Sequence, residues 1–346
     1  MKLTLKDIAH SLGVSTATVS NAFSRPDQLS ADLRERILGE AKRLGYRGPN
    51  ATARSLRSGK TGTIALVLTE RLQYNFEDPV ATRFLHGVSE IFDQQNINML
   101  LLPSRAEFYR NNTVDSLADG FVIYGPPRDS SVLERIVVRG KPTITVDFNL
   151  PEVRSLNIDN FHGARDAARH GLKAIENGPL AVLALRVLTE SEVVGRIQDD
   201  DVLASPYESV SRRRLDGYRA ALEETKRSLD NEWVWNVPES RYEYGYQAAR
   251  EALMSNPRPK LLLCMSDRLA LGAIAAAQDL GLNIPQDLKV IGFDDIATAA
   301  YQRPALTTVH QPQNEKGRQA AKMVLGLSEY TKDVLLEAKL IVRDSC

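Results

Sequence analysis

Cysteine is nearly absent from this chain. Its 346 residues hold two, Cys264 inside an apolar run and Cys346, which excludes a disulfide framework and any cysteine-based metal spacing. The five histidines are scattered without metal-ligand spacing. Aromatic residues make up only 6%. No apolar run approaches the roughly 20 residues that span a bilayer. Met1-Lys2-Leu3-Thr4 leads straight into a polar helical pattern rather than a secretory apolar segment, so a cytoplasmic protein without a membrane partner is expected. Gly59-Lys60-Thr61-Gly62 lacks the upstream glycine of a phosphate loop. Ser266-Asp267 and His310 have no nucleophile-elbow context. Enzymatic activity and a cofactor are therefore not expected.

Net charge is also lacking, with 44 basic residues against 44 acidic, but the balance hides a split. Residues 1–60 hold 11 Lys and Arg against 5 Asp and Glu, and the remainder holds 33 against 39. A basic head on an acidic body is the electrostatic footprint of a nucleic-acid binder. Between them lies Asn50 to Lys60. Pro49 and Asn50 open a short helical pattern there and Gly59 closes it. So short a helix is marginal alone in water, and Arg54, Arg57 and Lys60 suit a polyanion. With 43% hydrophobic and 25% charged residues, the rest of the chain can build two or three cores.

The head reads as three helices. Thr4 and Asp7 form a capping-box pattern, followed by the stripe Leu5, Ile8, Ala9, Leu12. Gly13-Val14 breaks this helix and Ser15 caps a second, to Phe23, with Val19 and Phe23 facing inward. A third follows Ser30, carrying Leu33, Ile37, Ala41 and Leu44, and ends at Gly45. Helix, short turn with glycine, helix is a helix-turn-helix pattern. Leu5-Lys6-Asp7-Ile8-Ala9, Leu12-Gly13-Val14-Ser15-Thr16-Ala17-Thr18-Val19-Ser20, Leu44-Gly45-Tyr46 and Pro49-Asn50-Ala51-Thr52-Ala53-Arg54-Ser55-Leu56 closely resemble the head and hinge of the LacI/GalR family of bacterial transcription regulators.

That resemblance implies a second helix in the major groove, with Thr16, Ala17 and Asn21 at base-reading positions. Many members carry Arg where this chain has Asn21; Asn pairs with adenine where Arg favours guanine. Leu5, Ser15, Thr18, Ser20, Ser30 and Tyr46 match DNA-contacting positions, most of them to phosphate. Asn50, Ala53, Arg54 and Leu56 match the hinge. There Ala53 permits close helix approach, and Leu56 matches a leucine that wedges between central base pairs in the minor groove.

Beyond residue 60, continuous apolar runs recur: Ile64–Leu68, Met99–Leu102, Gly120–Tyr124 and Thr143–Val146, then Ala181–Leu185, Trp233–Trp235, Leu261–Met265 and Val290–Phe293. Amphipathic stretches such as Val80–Gln95 separate them. Continuous apolarity means burial on both faces, hence parallel sheets, and two such series imply an α/β body of two doubly wound lobes. Glu190–Ser211 is polar, with Asp199-Asp200-Asp201, and is expected to be a mobile loop. Further strings extend the resemblance: Asp159–Ala164, Arg214–Leu222, Ser266–Ala273, Ile284-Pro285, Val290–Asp295 and Pro304–Pro312. They imply the family's periplasmic-binding-protein-like body. The expected divisions are a head at 1–47, a hinge helix at 48–60, a first lobe at 61–159 and 313–340, and a second lobe at 160–312 and 341–346. Crossings between lobes are expected near Asp159, Pro312 and Arg343.

Ligands of such folds bind beyond the carboxyl ends of the strands. Asp147, Asp159, Asp267 and Asp294 each end a strand pattern and Arg214 opens a helix, a set suited to hydroxyls. By resemblance, Arg214 and Asp294 occupy effector positions, with Asp267 and Asp147 close behind. Tyr74, Phe76 and Asp78 are first-lobe candidates; Ser240 or Tyr242 falls where relatives place a stacking aromatic, and Gln311 completes the set. An aspartate after a strand also caps the next helix, and Tyr74 and Phe76 also suit a core. The resemblance implies a homodimeric regulator, most often a repressor, of a near-palindromic double-stranded operator, governed by a small-molecule effector. A sugar or polyol is the first expectation, a nucleoside or purine the second and a protein corepressor the third. A solute-binding protein with no DNA role shares the body but not the head.

Overall fold

The computed structural model describes residues 3–46, 48, 60–111, 117–127, 129–188, 193–198, 203 and 209–346. Within it the chain forms two compact units, Met1–Gly62 and Thr63–Cys346.

In the first unit, α1 (Leu5–Leu12), α2 (Thr16–Ser24) and α3 (Ala31–Leu44) close on one small core. The Asp7 carboxylate accepts from Thr4 N at 2.8 Å and Thr4 Oγ1 at 2.7 Å. Gly13 and Gly45 end α1 and α3 in the left-handed region, φ 64 and 75, where glycine has no Cβ to clash. Ile8, Ala9, Val19, Ala22 and Ile37 form the core. Phe23 packs at its edge rather than its centre, edge-on to Tyr46 with ring centroids 5.9 Å apart.

The second unit runs β1 (Thr63–Leu68), α4 (Leu72–Glu77), α5 (Pro79–Gln95), β2 (Asn98–Pro103), α6 (Ala106–Asn111), β3 (Gly120–Tyr124), α7 (Ser130–Val137), β4 (Thr143–Val146), β5 (Arg154–Ile158), α8 (Asn160–Ile175), β6 (Leu180–Leu185), β7 (Gly195–Arg196), α9 (Val210–Glu224), β8 (Val234–Val237), α10 (Tyr242–Leu253), β9 (Leu261–Cys264), α11 (Asp267–Asp279), β10 (Lys289–Ile291), α12 (Ala297–Tyr301), β11 (Thr308–His310), α13 (Gln313–Val324), β12 (Val334–Leu336) and β13 (Lys339–Ile341). Among the described residues, a six-stranded sheet has the order β12-β5-β4-β3-β1-β2 and a five-stranded sheet the order β10-β9-β6-β8-β7. The first is parallel throughout; in the second only β7 runs antiparallel, against β8.

The apolar runs form these strands because both faces are covered. In β1, Ile64, Leu66 and Leu68 enter one core while Ala65 and Val67 enter the other. In β6, Leu180, Val182 and Ala184 face away from Ala181 and Leu183 in the same way. Each fully buried aliphatic side chain contributes about 1.5–3 kcal/mol.

The chain leaves the first sheet after β5 at Asp159, returns after β11 near Pro312, and crosses again at Glu337–Ala338. The third crossing precedes the position expected near Arg343, because Lys339 of β13 already pairs with His310. Three further expectations shift. Trp233 closes a 3-10 turn ahead of β8. The strand at Val290 stops at Ile291, and Asp294 beyond it bridges His310. In the stretch expected to be a loop, Gly195–Arg196 pairs with Trp235 and Asn236, Leu188 bridges Leu203, and α9 begins at Val210.

Candidate functional site

The head presents one face of α2. Ser15 starts the helix, its Oγ accepting from Thr18 N at 3.0 Å. Thr16 and Ala17 are exposed, whereas Val19 and Ala22 on the opposite side are buried. Thr18, Ser20 and Asn21 are half-buried at the margins, and the Asn21 amide donates to Gln28 Oε1 at 3.2 Å. Ser30 caps α3 through Leu33 N at 3.4 Å. Such a hydroxyl caps with its oxygen, and Ser15 Oγ also lies 2.8 Å from Thr18 Oγ1. Leu5, the first residue of α1, packs its side chain against the core. Burial raises the Tyr46 phenol above its ordinary range, leaving it a neutral donor. Lys6, Arg25, Arg34, Arg36, Lys42 and Arg43 are exposed. Asn50, Ala53, Arg54 and Leu56 lie outside the described residues.

In the body, strand ends of both lobes converge on a polar cleft. Arg214, the fifth residue of α9, is 5% exposed. Its Nε donates to Asn160 Oδ1 at 2.9 Å, its Nη1 to the Met265 carbonyl, and its guanidinium lies 3.6 Å over the Phe293 ring. Asp294 Oδ1 lies 3.7 Å from Arg214 Nη1 and accepts from Gln311 Nε2. Gln311 Oε1 in turn accepts from Gln313 at 2.8 Å. Asp294 stands at φ 122, a backbone that side chains rarely adopt and that clusters at functional sites. Burial outweighs Arg214 and raises the Asp294 carboxyl to about 7.

Asp267 is wholly buried and accepts from Ile296 N at 2.8 Å and from Thr308 Oγ1. Burial, then Asp294, raises it well above the carboxylate range. A Cβ at Gly292 would stand 2.2 Å from Asp267 Oδ1, so the glycine makes room for this carboxyl. Asp267 thus braces the segment that carries Asp294. Asp159 caps α8 and binds the His162 ring, Nδ1 to Oδ2 at 2.8 Å. Ser240 is buried, donating to Ser266 Oγ at 2.8 Å. Tyr242 begins α10, 44% exposed, and Phe76 lies in α4, 60% exposed.

From the first lobe come Tyr74, Asp78 and Asp147. Tyr74 is buried, with the Arg241 guanidinium 5.7 Å from its ring centre. Asp78 caps α5, accepting from Ala81 N at 3.2 Å, yet burial raises its carboxyl. Asp147 has φ 67 and takes Lys316 Nζ at 2.7 Å. Sequence reasoning missed Lys316, Asn160, Arg213, Arg268 and Tyr124. Tyr124 ends β3, stacks on Phe84 at 4.4 Å, and lies under Lys316 at 5.4 Å. Burial, then Asp147, Asp78 and Asp294, raises its phenol far above the ordinary range, so it remains a donor. Arg268 Nη1 is buried with no partner among the described residues. Tyr124 was readable as a polar-tipped residue at a strand end; a lysine inside an amphipathic helix carries no such signal. Among the described residues no His, Cys, Asp and Glu group is arranged to hold a metal.

A helix-turn-helix head followed by a two-lobed body with a polar interlobe cleft defines a transcriptional regulator. Residues 4–50 match the family described as bacterial regulatory proteins, lacI family, and residues 202–346 match a periplasmic binding protein-like domain. Over 336 residues the chain is 37% identical to an HTH-type transcriptional regulator of Mycolicibacterium smegmatis, covering 93% of this chain and 90% of that one. Over 333 residues it is 32% identical to the HTH-type transcriptional regulator IpsA of Corynebacterium glutamicum, with the same coverages of 93% and 90%. Among solved structures, the transcriptional regulator CelR in complex with cellobiose superposes with a TM-score of 0.69 at 25% identity, covering 99% of this chain and 100% of that one. A LacI-family regulator of Corynebacterium glutamicum gives 0.68 at 27% identity, with coverages of 99% and 98%. The chain belongs to the lacI family of bacterial regulatory proteins. No helix among the described residues is long and apolar enough to cross a membrane.

Proposed function

We propose that the chain is a homodimeric repressor of a near-palindromic operator, released or engaged by a sugar or polyol bound between its lobes. The observation that carries this reading is the buried Arg214–Asp294–Gln311 set, with the first-lobe Asp78 near enough to raise the Asp294 carboxyl. It offers fixed donors and acceptors, as a hydroxyl, at once donor and acceptor, requires. The complex of the similar regulator CelR with cellobiose supports the same ligand class.

On DNA, Thr16, Ala17 and Asn21 read bases while Ser15, Thr18, Ser20, Ser30 and Tyr46 fix register on phosphates. Each subunit reads one half-site. Hinge residues Asn50, Ala53, Arg54 and Leu56 pair with their symmetry mates in the minor groove. The effector acts by binding one arrangement of the lobes better than the other.

Two measurements test this. Selection from random DNA should return an inverted repeat, bound by a dimer in a mobility-shift assay; a monomer that prefers no duplex over random DNA overturns the reading. A thermal-shift screen over sugars, polyols, nucleosides and purines should find its hits among the first two. A hit confined to purines moves the effector to that class.

A further inference from the structure

Side chains that no sequence pattern singled out tie the lobes together across the cleft. Two ties lie at the rim. Arg186 pairs with Glu70, and Arg241 Nη1 lies 3.4 Å from Glu77. These side chains are partly exposed, so water and salt weaken them. A third tie runs from Arg83 Nη1 to the Asp295 carbonyl at 3.0 Å.

The fourth is built differently. Arg213, in the first turn of α9 of the second lobe, donates from Nη2 to the Asp147 carbonyl at 2.9 Å and to Asn157 Oδ1 at 3.3 Å. Both acceptors stand at the carboxyl ends of first-lobe strands, β4 and β5. Both are held before Arg213 arrives. Asp147 is in the left-handed region with its carboxylate on Lys316. Asn157 donates to Asn149 Oδ1 at 2.8 Å and to Ser155 Oγ at 3.1 Å. A planar guanidinium docking on fixed acceptors loses little freedom per bond formed. Its neighbour Arg214 bonds only to Asn160, Met265 and Asp294 of its own lobe. Successive helical residues point about 100° apart, so one arginine faces the cleft interior and the next spans the lobes.

We infer that Arg213 is a positioning residue that latches the second lobe onto Asp147 and Asn157 and thereby holds the cleft closed around a hydroxyl-bearing effector. Only the ligand in this statement rests on the reading of the cleft as an effector site; the latch stands on its own geometry. Two buried atoms link them. Among the described residues, Arg213 Nε and Asp147 Oδ1 find no partner. The latch thus leaves one donor and one acceptor open on the very residues it joins, and a single ligand hydroxyl can accept from one and donate to the other. Occupancy of that position favours the closed arrangement by differential binding.

The test needs no effector. In the full chain with Cys346→Ser, spin labels on Val138→Cys in the first lobe and Met254→Cys in the second, 86% and 69% exposed in the parent, report the interlobe distance by double electron–electron resonance. Excess unlabelled chain restricts the signal to pairs within one subunit. The parent should give one narrow short distance. Arg213→Met should lengthen and broaden it, and Arg241→Ala at the rim should not. Asn157→Leu removes an acceptor instead of the donor and should shift it in the same direction; it also reads the latch should Arg213→Met fail to fold. A shift in Arg213→Met alone assigns the latch to the Asp147 carbonyl. A folded Arg213→Met with the parent's distribution overturns the inference, whatever the effector screen returns.

Discussion

Asp294 is a carboxyl whose charge is in contention near neutrality. Burial raises it from 3.8 to about 7 against the pull of Arg214. A carboxyl raised on folding contributes stability that is complete below its unfolded value and lost as pH rises through its folded one. Asparagine cannot titrate. The thermal midpoint of the parent, measured against Asp294→Asn, should therefore fall between about pH 4 and about pH 7. Parallel curves in differential scanning fluorimetry would show that the carboxyl is already ionised at the acid end. At the other unit, Asn21 sits at the margin of the exposed α2 face with its amide within reach of Gln28. Asn suits adenine and Arg suits guanine, with about 1–3 kcal/mol of discrimination per good pair. Asn21→Arg should move the selected half-site from adenine to guanine at one position; an unchanged sequence logo rejects that role.

Helix pairs hold the cleft in register. A Cβ on Gly217 of α9 would stand 2.3 Å from the Phe161 carbonyl of α8, so the two helices approach as closely as a missing side chain allows. Gly217→Ala should separate them and destabilise the body by about 1–3 kcal/mol, read by urea denaturation, and should weaken effector binding because Arg214 rides on the same helix. No change in midpoint would mean the pair relaxes freely. If Leu56 wedges between base pairs, Leu56→Ala should lower operator affinity far more than affinity for random DNA, since only the specific complex is kinked. Equal losses in fluorescence anisotropy would assign Leu56 to packing instead.

Over the whole chain, zero net charge conceals a head and hinge, residues 1–60, with six more basic than acidic residues and a body with six more acidic than basic. Association with DNA by that head releases counterions. A dimer making about 6–10 phosphate contacts should lose roughly 10³–10⁵ in affinity between about 50 and 200 mM salt. A flat salt titration would exclude phosphate-led binding. The same split was readable without coordinates, as were the three head helices and the buried parallel strands, because local spacing and continuous apolarity depend on near neighbours. Strands β5, β11, β12 and β13 were not: Arg154–Ile158 carries no continuous apolar run, and β11, β12 and β13 are three residues each.

The candidate site divides along the same line. Sequence alone placed aspartates at strand ends and an arginine at a helix start, since those positions follow from where each element stops. Which of them share a cavity was decided by the tertiary structure. Packing buried Asp267 as a brace, left Tyr242 and Phe76 at the surface, and brought Lys316, Tyr124 and Arg213 from distant parts of the chain to the same few ångströms. The physical reason is range: a cap or a strand is determined within a turn or two of chain, whereas burial and the field at a carboxylate depend on every element that folds over it.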